Sequence, residues 1–261
     1  MRTSNPVLTD MIFEREARSA SPASNTMTVN GSVLKTGLLL VLLLVAAGFS
    51  GIQTWPMFSD PDYPQPGWLV PGLIAASLGA LVVAVVTSFV PKLSPFTAPV
   101  YAVLEGLLLG WISALFEKKY GGIVIQAVAV TVGVMVVMLV AYISGVIRAT
   151  KKLRTGILIA TGGVCLTYLA TFLLGLFGIR VPYIHEAGPI GILFSLFVSG
   201  VAAFNLILDF DFIEQGSRRG APKYMEWYAG FGLLVTLVWL YLEILNLLAK
   251  IRNFTGGSRS S

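Results

Sequence analysis

Seven apolar stretches, separated by short polar, glycine-rich or proline-rich breaks, organise this chain. Each is about as long as the roughly 20 residues that an α-helix needs to cross the hydrocarbon core of a bilayer. The breaks contain turn-forming residues or basic runs, such as Gly121-Gly122 and the run from Arg148 to Arg154. The pattern predicts seven transmembrane helices, at residues 35–55, 67–90, 97–116, 122–147, 155–178, 188–210 and 227–250.

Polar segments flank these stretches at both ends. A segment of this composition buries too little apolar surface to fold alone, so residues 1–33 are predicted to form a disordered cytosolic tail. The tail has no apolar core before a small-residue cleavage site, which argues against a signal peptide. Residues 34–252 form the predicted seven-helix transmembrane domain, and residues 253–261 a disordered C-terminal tail.

Composition agrees with an integral membrane protein that has almost no soluble part. The mean hydropathy is +0.81 and 12% of the residues are charged, against about 25% in soluble domains. In a membrane protein, Lys and Arg accumulate in cytosolic loops and set the orientation of the helices. The net charge of +5 is therefore explained by topology and does not indicate a nucleic-acid partner. With the N-terminus inside, twelve of the 18 Lys and Arg residues lie inside and six outside. This predicts a cytosolic N-terminus and an external C-terminus.

Four acidic residues fall within or at the end of predicted membrane helices: Glu105, Asp209, Asp211 and Glu243. An ionisable group inside a hydrocarbon layer costs several kcal/mol, so such groups are rare and mostly functional. Glu105 precedes a GxxxG pattern, which permits close helix packing, and it is either a pore acid or an interhelical hydrogen-bond partner. Asp211 lies nearer the interface and could instead be a solvated or capping acid. The acids suggest a path for protons or cations.

One face of helix six and one face of helix seven each carry polar residues that include a carboxylate. Asn205 and Asp209 share one face of helix six, and Glu243 and Asn246 share one face of helix seven. If Asp209 and Glu243 meet, both cannot stay ionised cheaply, so they would titrate as one unit near neutral pH. Deprotonated, the pair could bind calcium, which prefers hard oxygen ligands. Contact between them requires the start of helix seven to project into the cytosol, and Asp211 could take the place of Asp209.

The chain resembles the Bax inhibitor-1 family of transmembrane proteins, in its bacterial branch, and the seven-span layout agrees over roughly residues 35–252. The segments that carry the resemblance are NLILDFDFIEQG, APKYMEWY and LVWLYLEILNLLAKI, together with TAPVYAVLEGLLLGWIS and the short NPVLTD of the tail. The family's helix-six aspartate, followed four residues later by Ile, corresponds to Asp209 and Ile213. Its helix-seven acid corresponds to Glu243, where the family usually has Asp.

The resemblance implies an all-α membrane fold with six helices, in two layers of three, around a central seventh. It implies a pH-sensitive calcium leak of the bacterial cytoplasmic membrane, gated by protonation of the acids on helices six and seven. A basic residue that pairs with the helix-six aspartate in the closed form is also implied. Lys92 is the nearest candidate, although a cytosolic lysine in a short loop is more often only a marker of topology. The expected partners are lipid, calcium and protons.

Other functions remain open on the sequence alone. A proton-coupled secondary transporter would also need intramembrane acids, and a regulatory partner of other membrane proteins would use the glycine-rich helices for packing. An enzyme is not expected, because no GxSxG, HExxH or GxGD pattern occurs. No cofactor is expected, and a monomer is the expected form. Cys165, within an apolar stretch, is expected to be a small buried residue.

Overall fold

The part of the chain that the structure describes contains seven long helices, as the hydropathy pattern predicts. The computed structural model describes residues 26–60, 66–67, 69–178 and 188–257. All seven helices are long and apolar enough to cross a membrane, so the protein is a multi-pass membrane protein. The elements are α1 (Val29–Ser59), α2 (Leu69–Phe89), a 3-10 helix (Pro91–Leu93), α3 (Ser94–Lys119), α4 (Ile123–Ile143), α5 (Lys151–Leu176), α6 (Pro189–Arg218) and α7 (Met225–Gly257).

Several helix ends lie beyond the predicted ones. α1 begins at Val29, where Thr28 caps it by accepting a hydrogen bond from the Gly31 backbone N–H at 3.0 Å. α6 continues to Arg218 instead of ending near residue 210. α7 runs to Gly257, into the segment that was assigned to the C-terminal tail. Hydropathy marks only the apolar part of a helix, so polar helical turns outside it are missed. The predicted disorder of residues 1–25 lies outside the described residues.

The described residues pack as two units. One contains the residues up to Gly121 together with Asp211–Val235, and the other contains Gly122–Phe210 and the residues from Thr236 onward. α6 and α7 therefore contribute one part to each unit. The first unit comprises α1, α2, α3, the end of α6 and the start of α7, while the second comprises α4, α5 and the remaining parts of α6 and α7.

Close contact between α1 and α3 defines the first unit. A Cβ atom added at Gly106 or Gly110 would collide with backbone of α1 around Leu43 and Ala47. Next to this contact, the Ser50 hydroxyl donates a 2.7 Å hydrogen bond to the Leu107 carbonyl. The GxxxG pattern therefore does what its spacing predicts, since only glycine lets the two backbones approach this closely.

Burial differs sharply among the helices. In its most apolar window, 67% of α7 is buried inside the protein, compared with 11% for α2 and for α5. α7 is thus the most enclosed of these helices; its expected central position and the two layers of three around it stay predictions. α5 buries only Arg154, Ile157 and Val164. The expectation for Cys165 was wrong: it lies on the exposed side of α5, because α5 turns only a narrow stripe inward.

Candidate functional site

Glu243 lies in the interior of the second unit, near the middle of α7, with only 4% of its surface exposed. The Tyr168 hydroxyl of α5 donates a 2.6 Å hydrogen bond to its Oε1. The Trp239 side chain, one turn earlier on α7, also hydrogen-bonds this carboxyl group. The Tyr168 ring is held edge-on against Phe194 of α6, with ring centroids 6.2 Å apart. Aromatic packing therefore positions the hydroxyl that contacts the acid.

Lys250 is the basic residue of this site. It lies two turns after Glu243 on α7 and attracts that carboxylate electrostatically. Its ammonium group donates to the Ser195 hydroxyl at 2.8 Å and to the Gly191 carbonyl at 3.2 Å, both on α6. An acid, a phenol, a base and a hydroxyl are thus brought together in a unit whose other side chains are mostly apolar. The two hydroxyls can both donate and accept, and the carboxyl group can gain or lose a proton, whereas the ammonium group only donates.

Asp209 and Asn205 lie on α6 in the same unit, and both are buried. Asn205 donates to the Thr161 hydroxyl of α5 and to the Val201 carbonyl, each at 2.9 Å. The predicted stripe of Asn205 and Asp209 is therefore an inward-facing surface of α6. Asp209 is only 1% exposed, and further turns of helix follow it up to Arg218 in place of the helix end that was expected.

Contacts along α5 measure the separation of Asp209 from Glu243. Asn205 contacts Thr161, whereas Glu243 contacts Tyr168, seven residues further along α5. Asp209 follows Asn205 by four residues on α6. Because α5 and α6 run in opposite directions, this step leads further away from the level of Tyr168. At 1.5 Å per residue the two acids are on the order of 15 Å apart along the helix axis. This register does not favour a direct hydrogen bond between them. No observation tests the coupling that the sequence predicts, and at this separation we expect the two acids to behave independently.

The other predicted site residues lie in varied surroundings. Asp211 is half-buried and accepts a 2.6 Å hydrogen bond from the Gln215 side chain, one turn later on α6. Glu105 is half-buried on α3 and interacts electrostatically with Tyr101. Lys92 is exposed on the 3-10 helix, and Asn246 is exposed on α7. Asn246 therefore does not share the buried surface of Glu243, because a three-residue step rotates it toward the outside.

Comparison with known proteins identifies the family of the chain. Residues 5–253 match the family described as Bax inhibitor 1 like. The chain belongs to this family. Comparisons with curated proteins and with solved structures found no significant match. The match covers all seven helices of this Bax inhibitor 1 like chain, including both units and all four acids predicted from the sequence, so the expected resemblance is confirmed over nearly the whole length.

Sequence reasoning missed Tyr168 as the partner of Glu243. The two residues are 75 positions apart, so no local motif connects them. A weak signal exists within α5, where Ile157, Thr161, Val164 and Tyr168 repeat at helical spacing and form its inward stripe. A tyrosine at the end of such a stripe is expected to find a polar partner for its hydroxyl.

A second buried acid of this Bax inhibitor 1 like chain, Glu226, was also not singled out as a site. It lies in the first turn of α7, in the first unit, and is 1% exposed. Its Oε1 accepts hydrogen bonds from the Thr28 backbone N–H at 3.0 Å, the Thr28 hydroxyl at 2.9 Å and the Lys223 ammonium at 2.7 Å. Glu226 therefore joins the start of α1 to the start of α7.

No preformed metal cluster occurs in the described ranges: no three or more His, Cys, Asp or Glu residues there are placed to hold one ion. Calcium takes six to eight oxygen ligands in proteins. The predicted calcium ligands Asp209 and Glu243 would thus need carbonyls, waters or a change of conformation to complete a coordination shell.

Proposed function

We propose that this protein is a pH-sensitive cation leak of the membrane, with calcium as the expected cation. The observation that carries the proposal is the burial of Glu243 in mid-helix, with a tyrosine hydroxyl at 2.6 Å and Lys250 two turns away. A carboxyl group at this depth costs stability and is retained where it is used. Membership in the Bax inhibitor 1 like family supports the same reading.

The proton provides the switch in this proposal. As a carboxylate, Glu243 accepts a hydrogen bond from the Tyr168 hydroxyl, and the positive charge of Lys250 partly balances its negative charge. As a neutral acid it no longer attracts Lys250, whose ammonium group keeps its hydrogen bonds to the Ser195 hydroxyl and the Gly191 carbonyl. Because both states rely on contacts between α5, α6 and α7, a change of protonation alters the packing of three helices at one point.

The conducted ion is proposed on the chemistry of the remaining acids. Asp209, Asp211 and Glu105 offer carboxylate oxygens within or next to the membrane helices, and such oxygens suit calcium. Lys92 would be a cytosolic partner for one of them, as the family resemblance implies. The bacterial cytoplasmic membrane is the proposed location on the same ground.

Reconstitution tests this proposal. We expect purified protein in calcium-loaded liposomes to release calcium, with a rate that changes between roughly pH 6 and 8. Glu243→Gln cannot ionise, so its flux should be the same across this range. Glu214→Gln is the matched control, because Glu214 pairs with Arg218 at the partly exposed end of α6 and should leave the pH profile unchanged. Absence of calcium flux at every pH would overturn the leak, and proton uptake coupled to a solute would favour a transporter instead.

The orientation of the chain is part of the proposal. The excess of Lys and Arg on one side predicts a cytosolic N-terminus, so the run Arg148 to Arg154 should face the cytosol and residues 57–65 the outside. Membrane-impermeant thiol reagents applied to intact cells test this in a Cys165→Ala background. Asp60→Cys should be labelled and Lys151→Cys should not; the opposite pattern would invert the topology.

A further inference from the structure

An arginine is among the three residues that α5 buries. Arg154 is 6% exposed, and with Ile157 and Val164 it makes up the buried set of a helix of 26 residues. A buried guanidinium is costly unless it is paired and hydrogen-bonded. One of its five N–H donors is accounted for, because Nε donates to the Ala149 carbonyl at 3.0 Å. The others need acceptors, and a carboxylate is the strongest one.

Only two carboxylates occur among the described residues of the second unit, Asp209 and Glu243. Glu243 contacts Tyr168, which is 14 residues from Arg154 along α5. That distance is roughly 21 Å at 1.5 Å per residue, far beyond the reach of an arginine side chain. Asp209 is therefore the acid to consider within this unit, and it is only 1% exposed. Asp211, the next acid along α6, is half-buried and accepts a hydrogen bond from Gln215.

The contact between Thr161 and Asn205 fixes how α5 and α6 align. Arg154 precedes Thr161 by seven residues, which is two helical turns and the same face of α5. Asp209 follows Asn205 by four residues on the same face of α6. Because the helices are antiparallel, both steps lead in the same direction, and they differ by three residues, or about 4.5 Å. A long arginine side chain spans such an offset.

We propose that Arg154 and Asp209 form a buried ion pair between α5 and α6. Burial, helix face, register and the scarcity of other carboxylates in the described part of the unit all select this pair. It assigns to Asp209 a basic partner on helix five, whereas the sequence had suggested Lys92, which is exposed. The inference rests on packing in the second unit and does not depend on the proposed leak.

A double-mutant cycle on thermal unfolding in detergent at pH 7.5 tests the pair. Arg154→Met and Asp209→Asn should each lower the unfolding midpoint by about 5–10 °C, since each leaves one buried charge without its counterpart. The double variant should lose no more than the worse single variant. Lys152→Met is the matched control, an exposed basic residue two positions away, and should leave the midpoint unchanged. Shifts that simply add in the double variant would overturn the pair.

Arg154→Lys covers the case in which Arg154→Met does not fold. Lysine keeps the charge but loses the planar fork of donors. With Asp209 present it should restore most of the midpoint that the methionine variant loses, or give a measurable folded protein where that variant gives none. In the Asp209→Asn background the lysine should restore nothing. Equal restoration in both backgrounds would mean that Arg154 is held by something other than Asp209.

Discussion

Glu226 and Glu243 lie on the same helix, are nearly equally buried, and have opposite surroundings. Glu226 accepts two hydrogen bonds from Thr28 and one from Lys223, which is half exposed at the α6–α7 turn. Glu243, 17 residues further along α7, has a tyrosine hydroxyl as its closest partner and a lysine two turns away. The Glu226 carboxylate accepts three hydrogen bonds, one of them from a charged ammonium group, whereas the closest partner of the Glu243 carboxylate is a neutral hydroxyl.

This difference gives the two acids different expected roles, a structural one for Glu226 and the proposed proton-responsive one for Glu243. The backbone N–H and hydroxyl of Thr28 lie at the N-terminus of α1, where the helix dipole also favours a negative charge. Glu226 therefore gains from staying ionised, and its role is to tie two helix starts together. Glu243 has no helix end nearby, so its charge is less well stabilised and its protonation is free to follow the environment. Burial alone does not distinguish the two acids; their donors do.

The largest expected effect is on stability at Glu226. Glu226→Ala should lower the free energy of unfolding by about 3 kcal/mol, since it removes a buried acceptor and leaves the Thr28 donors and Lys223 without it. The pH dependence of calcium flux should be unchanged in protein that remains folded. Denaturant unfolding followed by tryptophan fluorescence measures the loss. Glu214→Ala, at a partly exposed ion pair, serves as control with an expected loss below about 1 kcal/mol.

Tyr168→Phe should have a smaller effect on stability but a specific one on function. Loss of the hydroxyl removes the 2.6 Å hydrogen bond to Glu243 and should cost about 1–2 kcal/mol. The pH profile of flux should move, because the donor that favours the carboxylate is gone. The profile in liposomes is the measurement. Tyr120→Phe, at the end of α3, is the control; an identical shift there would remove Tyr168 from the site.

Thr28→Val should cost about 1 kcal/mol, a typical value for the loss of an N-cap side chain. It removes the hydroxyl that both caps α1 and donates to Glu226, but it keeps the backbone N–H that donates to the same oxygen. In a Glu226→Gln background the loss should be smaller, since part of the interaction is already weakened. A loss that is the same in both backgrounds would show that the cap acts on α1 alone.

The smallest expected effect is the coupling of Asp209 with Glu243. With the acids on the order of 15 Å apart along the axis, Asp209→Asn and Glu243→Gln should change the free energy of unfolding additively within about 0.5 kcal/mol. The double-mutant cycle at pH 7.5 measures it. A coupling of about 1–3 kcal/mol would instead support the proton-sharing pair that the family resemblance implies, in a conformation with a different helix register.

The sequence by itself determined the class of the protein and its seven membrane helices. These properties are local, because a run of about 20 apolar residues must form a helix to satisfy its own backbone in lipid. The GxxxG spacing of Gly106 and Gly110 also predicted close packing correctly. The family likeness, read from short motifs around Asp209 and Glu243, held over residues 5–253.

Only the tertiary structure decided which partner each charged residue has. Thr28 meets Glu226 across 198 positions and Tyr168 meets Glu243 across 75, and no periodicity within one helix contains that information. The same limit explains why the sequence wrongly predicts that Cys165 is buried. All faces of an apolar helix have similar hydrophobicity, so the buried face depends on where the neighbouring helices pack. Hydropathy decides where a helix lies relative to the membrane, whereas packing decides which donors surround each buried acid.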